Sequence, residues 1–251
     1  MTRPVLLAVL ALSLSSCGFF RIKKTGEGVP AVKKTSVYEE FHVAPGGSLT
    51  ASKSGVTVTI EPIHEGNIAT FPQFQGSFVL TKMKRNQLNT WTTTGQEVQQ
   101  KCVLTDQPLA FKITIVNKTG HVLSLKGARV SLREPSGAAH ASVPPGALES
   151  MWAEWSLQNN MKTTQTGLRV ENFNGMWEAI RSVPWFLESA EILPDATGVF
   201  FANMDTNAES RAIMQNVTLS VFDVTTEVNP AGEATKRDRF DFELSRQLVE
   251  R

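Results

Sequence analysis

Period-two alternation of apolar and polar side chains restricts the fold of this chain more than any other feature. Gly55–Ile60 alternates strictly, and Leu109–Val116 does so again, with Phe111, Ile113 and Ile115 on one side and Lys112 and Thr114 on the other. A strand sends successive side chains to opposite faces, so this pattern describes strands with one face in a core. Val217–Phe222 and Phe240–Leu244 repeat it near the C-terminus, separated by the turn residues Asn229, Pro230, Ala231 and Gly232. Val199–Ala202 suits a further strand and Ser77–Leu80 a weaker one. Asn117, Lys118, Thr119 and Gly120 supply turn chemistry, after which Val122, Leu123, Leu125, Ala128, Val130 and Leu132 run back, predicting a hairpin over 109–132. Many short strands punctuated by turns predict a mainly β chain folded as an antiparallel β-sandwich.

The period changes between about 146 and 190. Pro144, Pro145 and Gly146 break the alternation, and Leu148, Met151, Trp152 and Trp155 then recur at i, i+3, i+4 and i+7, one apolar face of a helix. Glu149, Glu154 and Gln158 fall opposite. Asn174 is placed to cap a second helix carrying Trp177, Ile180 and Val183, with Pro184 to end it. This stretch reads as an α-helical insertion between strands. It holds four tryptophans, Trp152, Trp155, Trp177 and Trp185. Indole joins a large apolar area to one hydrogen-bond donor, which makes these four the candidate binding surface for a sugar, a peptide or a partner protein. Their helical spacing also suits a face that clamps the insertion onto the sheet.

Strand, Asn-x-Thr turn, strand and terminal hairpin, over about 105–135 and 192–245, resemble the immunoglobulin-like sandwiches of bacterial envelope lipoproteins. Patterning alone carries that resemblance, because the cysteine pair and core tryptophan of antibody-type domains are absent. Asn117 and Asn216 also begin Asn-x-Thr sequons, read here as turn and strand-entry residues.

The N-terminus speaks to address. Arg3 precedes an apolar run, Val5–Leu12, that is shorter than the roughly 20 residues needed to cross a bilayer as a helix. A short apolar run after a positive charge is an export signal. Leu14, Ser15, Ser16 and Cys17 then resemble the lipobox of bacterial lipoproteins. The resemblance implies cleavage before Cys17, a diacylglyceryl group on its thiol, and attachment to a membrane through that lipid. Gly18, where retained lipoproteins carry aspartate, implies forwarding to the outer membrane in a two-membrane organism. The expected organisation is a signal peptide at 1–16, a lipidated N-terminus and flexible tether at 17–50 with a strand around Tyr38–Val43, and the sandwich domain with its helical insertion at 51–251. Arg21, Lys23, Lys24, Lys33 and Lys34 oppose only Glu27 beside the anchor. Bases so placed add about 1 kcal/mol each when close to anionic head groups, or serve simply to solvate the tether. With Cys17 lipidated, Cys102 has no disulfide partner and reads as a small buried apolar residue.

Lys and Arg number 25 against 24 Asp and Glu, and cleavage removes one base, Arg3, leaving the exported chain formally neutral. It lacks the electrostatic footprint of a nucleic-acid binder, and that class of partner is excluded. No Gly-x-Ser-x-Gly elbow, Ser-x-x-Lys pair or phosphate-cradling glycine loop is present. His42, His64, His121 and His140 stand at no metal-ligand spacing, so no metal and no cofactor are implied. Asp223, Glu227, Asp238, Asp241 and Glu243 are interleaved with Lys236, Arg237 and Arg239, the pattern of cross-strand charge pairs. The expectation is a non-enzymatic, lipid-anchored binding or scaffolding module for an envelope protein or cell-wall partner. Two alternatives stand beside it. One is an envelope hydrolase whose site is assembled from His64, Glu65 and the C-terminal acids; the other is a carrier holding a small apolar ligand between insertion and sandwich.

Overall fold

A computed structural model of the chain describes residues 37–64, 66–104, 109–186, 190–204 and 214–250. The export signal, Cys17, the basic stretch after it and Glu65 lie outside the described residues. The structure is mainly β and its sheets are antiparallel.

Two facing sheets enclose the larger core. The first takes β1 (Val37–Val43), β14 (Ala234–Glu250), β13 (Asn216–Val228), β8 (Arg129–Arg133) and β9 (Ala139–Ala141) in the order β1-β14-β13-β8-β9. The second takes β12 (Thr197–Asn203), β6 (Ala110–Asn117), β3 (Val56–Ile63) and β2 (Thr50–Lys53) in the order β12-β6-β3-β2. Val217, Leu219 and Val221 pair in register with Leu244, Phe242 and Phe240. They meet Val56, Val58, Ile60, Phe111, Ile113 and Ile115 in one buried cluster. These are the alternating positions of the sequence, and each such side chain contributes roughly 1.5–3 kcal/mol on burial. The terminal hairpin forms as expected. At its turn Asn229 Oδ1 accepts from the amides of Ala231 and Glu233, and Gly232 takes a positive φ of 81°. The strand expected around Tyr38–Val43 is β1, at the edge of the first sheet against β14.

The hairpin expected over 109–132 does not form. β6 pairs with β3 and β12, whereas β8 pairs with β13 in the facing sheet. Between them, among the described residues, β7 (Leu123–Ser124) pairs only with β11 (Glu191–Ile192). The turn at Asn117 therefore carries the chain across the core. Alternation tells which face of a strand is buried but not which sheet it joins, and two strands facing one core from opposite sides look like a hairpin.

A smaller core lies beside this body. Its sheet is β10-β4-β5, made of β4 (Gln75–Arg85), β5 (Trp91–Cys102) and β10 (Leu168–Glu171). It draws on one segment between β3 and β6 and another between β9 and β12. The helices expected from the apolar periodicity are α1 (Pro145–Met161) and, after the short α2 (Thr163–Thr166), α3 (Asn174–Ser182). α1 buries Leu148 and Trp152, while α3 buries Met176, Ala179 and Ile180 against β4. Asn174 does not cap α3: Phe173 holds the cap position with no side-chain bond, and Asn174 is the first helical residue. The helix stops at Ser182, two residues before Pro184, whose ring disfavours helical geometry in the residue ahead of it. β4 and α3 approach closely at Gly76, where a Cβ would come within 2.9 Å of Met176 Cα. Among the described residues no helix is long and apolar enough to cross a membrane.

Candidate functional site

The smaller core gathers the four tryptophans singled out in the sequence, and it treats them unequally. Trp152 is 4% exposed and its indole Nε1 donates to the Val103 carbonyl at 2.7 Å. Trp185 is 5% exposed and donates to the Ile180 carbonyl, also at 2.7 Å. Both are core residues with satisfied donors, so they drop out of the candidate binding surface. Trp155 and Trp177 are only half-buried.

These two belong to a continuous array of rings. Phe78 of β4 stacks on Phe173 with centroids 5.4 Å apart and planes 8° from parallel. Trp155 stands edge-on to Phe78 at 5.5 Å and to Trp152 at 5.4 Å. Trp177 lies 5.5 Å from Phe173. Lys101 of β5 sets its ammonium 4.7 Å from the Trp155 centroid and 5.1 Å from that of Trp152. A cation over an indole face is held by the ring quadrupole. Phe78 and Trp152 are buried beneath the array, and Trp155, Phe173 and Trp177 form a partly exposed strip with the Lys101 charge at one end, suited to contact with an apolar or aromatic group. Periodicity pointed to the tryptophans. Phe78 lies on the weaker strand expected over Ser77–Leu80, while nothing in the local sequence marked Phe173 or Lys101.

Titratable groups assemble elsewhere. Glu40, 2% exposed, lies 3.0 Å from His64 Nδ1 and 3.4 Å from His42 Nε2, and the two imidazole rings are 6.0 Å apart. Their separation in sequence hid this cluster, which forms because β1 and the end of β3 meet at one end of the two-sheet body. His140 pairs with Glu134 at 2.7 Å. Among the described residues no group of three or more histidines, cysteines and acids is placed to hold a metal ion. Cys102 is buried, as expected of a small apolar residue.

The C-terminal acids do not converge on one another. Glu227 reaches Lys236 at 3.3 Å, Asp223 reaches Arg129 at 3.6 Å, and Asp241 reaches Arg239 at 2.5 Å. At Asp238 burial works against the charge. Even so, the Thr226 hydroxyl, Lys236, the Ser54 hydroxyl and Lys53 together hold its carboxyl below the usual range. Lys236 also donates to Ser54 Oγ at 2.7 Å, at the opposite end of β3 from His64. His64 and the Asp238–Lys236 group therefore lie at opposite ends of β3. The Ser54 end also carries an open cleft of about 560 Å³ lined by Lys118, Thr119, His121, Thr226, Glu227 and Thr235, among others. No family model matches the chain, and no curated protein or solved structure matches it either.

Proposed function

We propose that the chain is a bacterial lipoprotein held at the outer membrane by a diacylglyceryl group on Cys17. In this reading an immunoglobulin-like sandwich with a helical insertion acts as a non-enzymatic binding or scaffolding module for an envelope protein or cell-wall partner. The alternating faces of β3, β6, β13 and β14, which close one core, support the sandwich reading. Support for the anchor is the Leu14–Cys17 sequence. The binding role rests on one observation: Trp155 and Trp177 keep part of their rings at the surface of a packed aromatic array. Rigid half-exposed indoles offer contact area at little conformational cost, which is why such residues anchor recognition surfaces.

Two experiments test this. Cys17→Ser is expected to abolish fatty-acid labelling and release the protein from the membrane fraction; continued labelling would refute the anchor. Photo-crosslinking residues placed at positions 155 and 177 of the full chain are expected to capture one discrete envelope component. The same probe at Thr235, in the distant cleft, is not. Equal capture from all three positions, or none from 155 and 177, would remove the ring strip as the binding surface.

A further inference from the structure

The sheet β10-β4-β5 is finished at one edge and open at the other. At β10, Asn160 of α1 stands in for a neighbouring strand: its amide donates to the Val170 carbonyl at 3.0 Å and its oxygen accepts from the Val170 N–H at 2.7 Å. At β5 no described strand pairs with the outer side.

The register tells which backbone groups face outward. Val103 N–H donates to the Phe74 carbonyl at 2.7 Å, and the next pairs are Gln75 with Cys102 and Gly76 with Lys101. Bonded and non-bonded pairs alternate along an antiparallel ladder. Lys101, Gln99, Glu97 and Gly95 therefore bond to β4, leaving Gln100, Val98 and Gln96 with N–H and C=O aimed at the free edge. Met83, odd-numbered on β4, donates the other way, to the Gly167 carbonyl, as this alternation requires. Natural sheets blunt such edges with lysine, proline or a bulge. Here the bulge at Thr94, between the Lys82–Gly95 and Met83–Thr93 pairs, bounds the regular stretch without interrupting it. From Gly95 to Gln100 the single charge is Glu97, and Val98 at the centre is 68% exposed.

We infer that this edge pairs two copies of the chain, β5 against β5, antiparallel about a two-fold axis at Val98, joining two three-stranded sheets into one of six. The outward residues Gln96, Val98 and Gln100 read the same in both directions about Val98, which is what a self-complementary two-fold interface requires. Val98 then meets its counterpart, and Gln96 meets Gln100 on each side, each pair exchanging backbone hydrogen bonds. On one face the Val79–Val98 pairs of both copies close an apolar patch between glutamine amides. On the other, Glu97, already 3.5 Å from Lys82, lies opposite Gln99, with Lys101 and Glu97 of the second copy on its two diagonals, so no like charges stand directly opposite. A contact of this size is smaller than the roughly 1,200 Å² of a stable complex, so the pairing is weak and concentration-dependent.

Disulfide trapping suits a weak contact. Facing residues of a bonded antiparallel pair have Cα atoms about 5.5 Å apart, within the span a disulfide bridges. In the full chain, Val98→Cys is expected to give an oxidant-dependent dimer well above the wild-type background, and Thr92→Cys, beyond the bulge, to give none above it. Adding Gln96→Pro to Val98→Cys removes an outward N–H that β4 does not use, and is expected to cut dimer yield at least several-fold. Equal yields from the two cysteines, no dimer from Val98→Cys, or indifference to Gln96→Pro would each overturn the pairing.

Discussion

Asn117 is the residue on which the crossing between the two large sheets depends. It is fully buried, and its amide donates to the carbonyls of His121 at 2.8 Å and Ile192 at 2.9 Å. Its oxygen accepts from the Thr119 amide at 3.0 Å and the Thr119 hydroxyl at 2.7 Å. One side chain thus closes its own turn and ties that turn to the start of β7 and the end of β11. Asn117→Ala leaves buried carbonyls without donors, and each such group costs about 1–3 kcal/mol. The expected loss is about 3 kcal/mol, read as a lower urea midpoint at unchanged denaturant slope. Asn117→Asp keeps the acceptor for Thr119 but loses both amide donations, so a loss similar to that of alanine assigns the effect to the donors. The Asn-x-Thr-Gly turn was legible in the sequence. Its partner at Ile192 was not, since a contact across 75 positions leaves no local trace.

At the scale of elements, α1 and α3 are joined on their outer side by Arg181 and Glu149. Arg181 Nε reaches Glu149 Oε1 at 2.7 Å and Nη2 reaches Oε2 at 3.2 Å. The hydrogen bond from Arg181, helped by its charge, holds the Glu149 carboxyl below its ordinary range. A carboxyl whose folded pKa is depressed stabilises the fold above its unfolded pKa, and that stabilisation is lost as pH falls through the folded value. Arg181→Ala should therefore lower thermal stability slightly at neutral pH, the pair being solvent-exposed, and the gap to wild type should close as pH drops below about 4. A gap that persists in acid would assign the loss to packing of the arginine stem. Where α3 meets β4, Gly76→Ala forces the two apart at Met176, with an expected cost of about 1–3 kcal/mol in chemical denaturation. Both helices were legible because Leu148, Met151, Trp152 and Trp155 recur at helical spacing in the first, and Trp177 and Ile180 in the second. The strand β5 was not. Between Trp91 and Cys102 its one aliphatic side chain is Val98, so there is no buried face for alternation to report. The same gap hid the strand that carries Lys101, whereas Phe78 lies on the weaker strand expected over Ser77–Leu80.

In the molecule as a whole the two cores share a wall. Phe201 of β12 turns its ring into the smaller core, 5.0 Å from Phe74 and 6.0 Å from Phe71, while its neighbour Ala202 belongs to the larger one. Ala110 and Phe111 divide in the same way on β6. The segments that build the smaller core leave and re-enter this sheet, and Phe201 bonds through its backbone to Pro184 and Phe186 on the way. Neither core can lose its packing without uncovering one face of the common sheet. Unfolding is therefore expected to be a single cooperative transition. Tryptophan placement makes this measurable, because Trp152, Trp155, Trp177 and Trp185 belong to or pack on the smaller core, the fifth, Trp91, opens β5 of its sheet, and none packs in the larger. Intrinsic fluorescence reports the smaller core, and the backbone-amide NMR signals of β6 and β13 report the two large sheets. The two urea curves should superimpose. Phe201→Ala, at an expected cost of about 3–5 kcal/mol, should shift both together. Separate midpoints in the wild type, or a Phe201→Ala shift confined to fluorescence, would mean that the smaller core unfolds on its own and that the shared sheet does not couple the two.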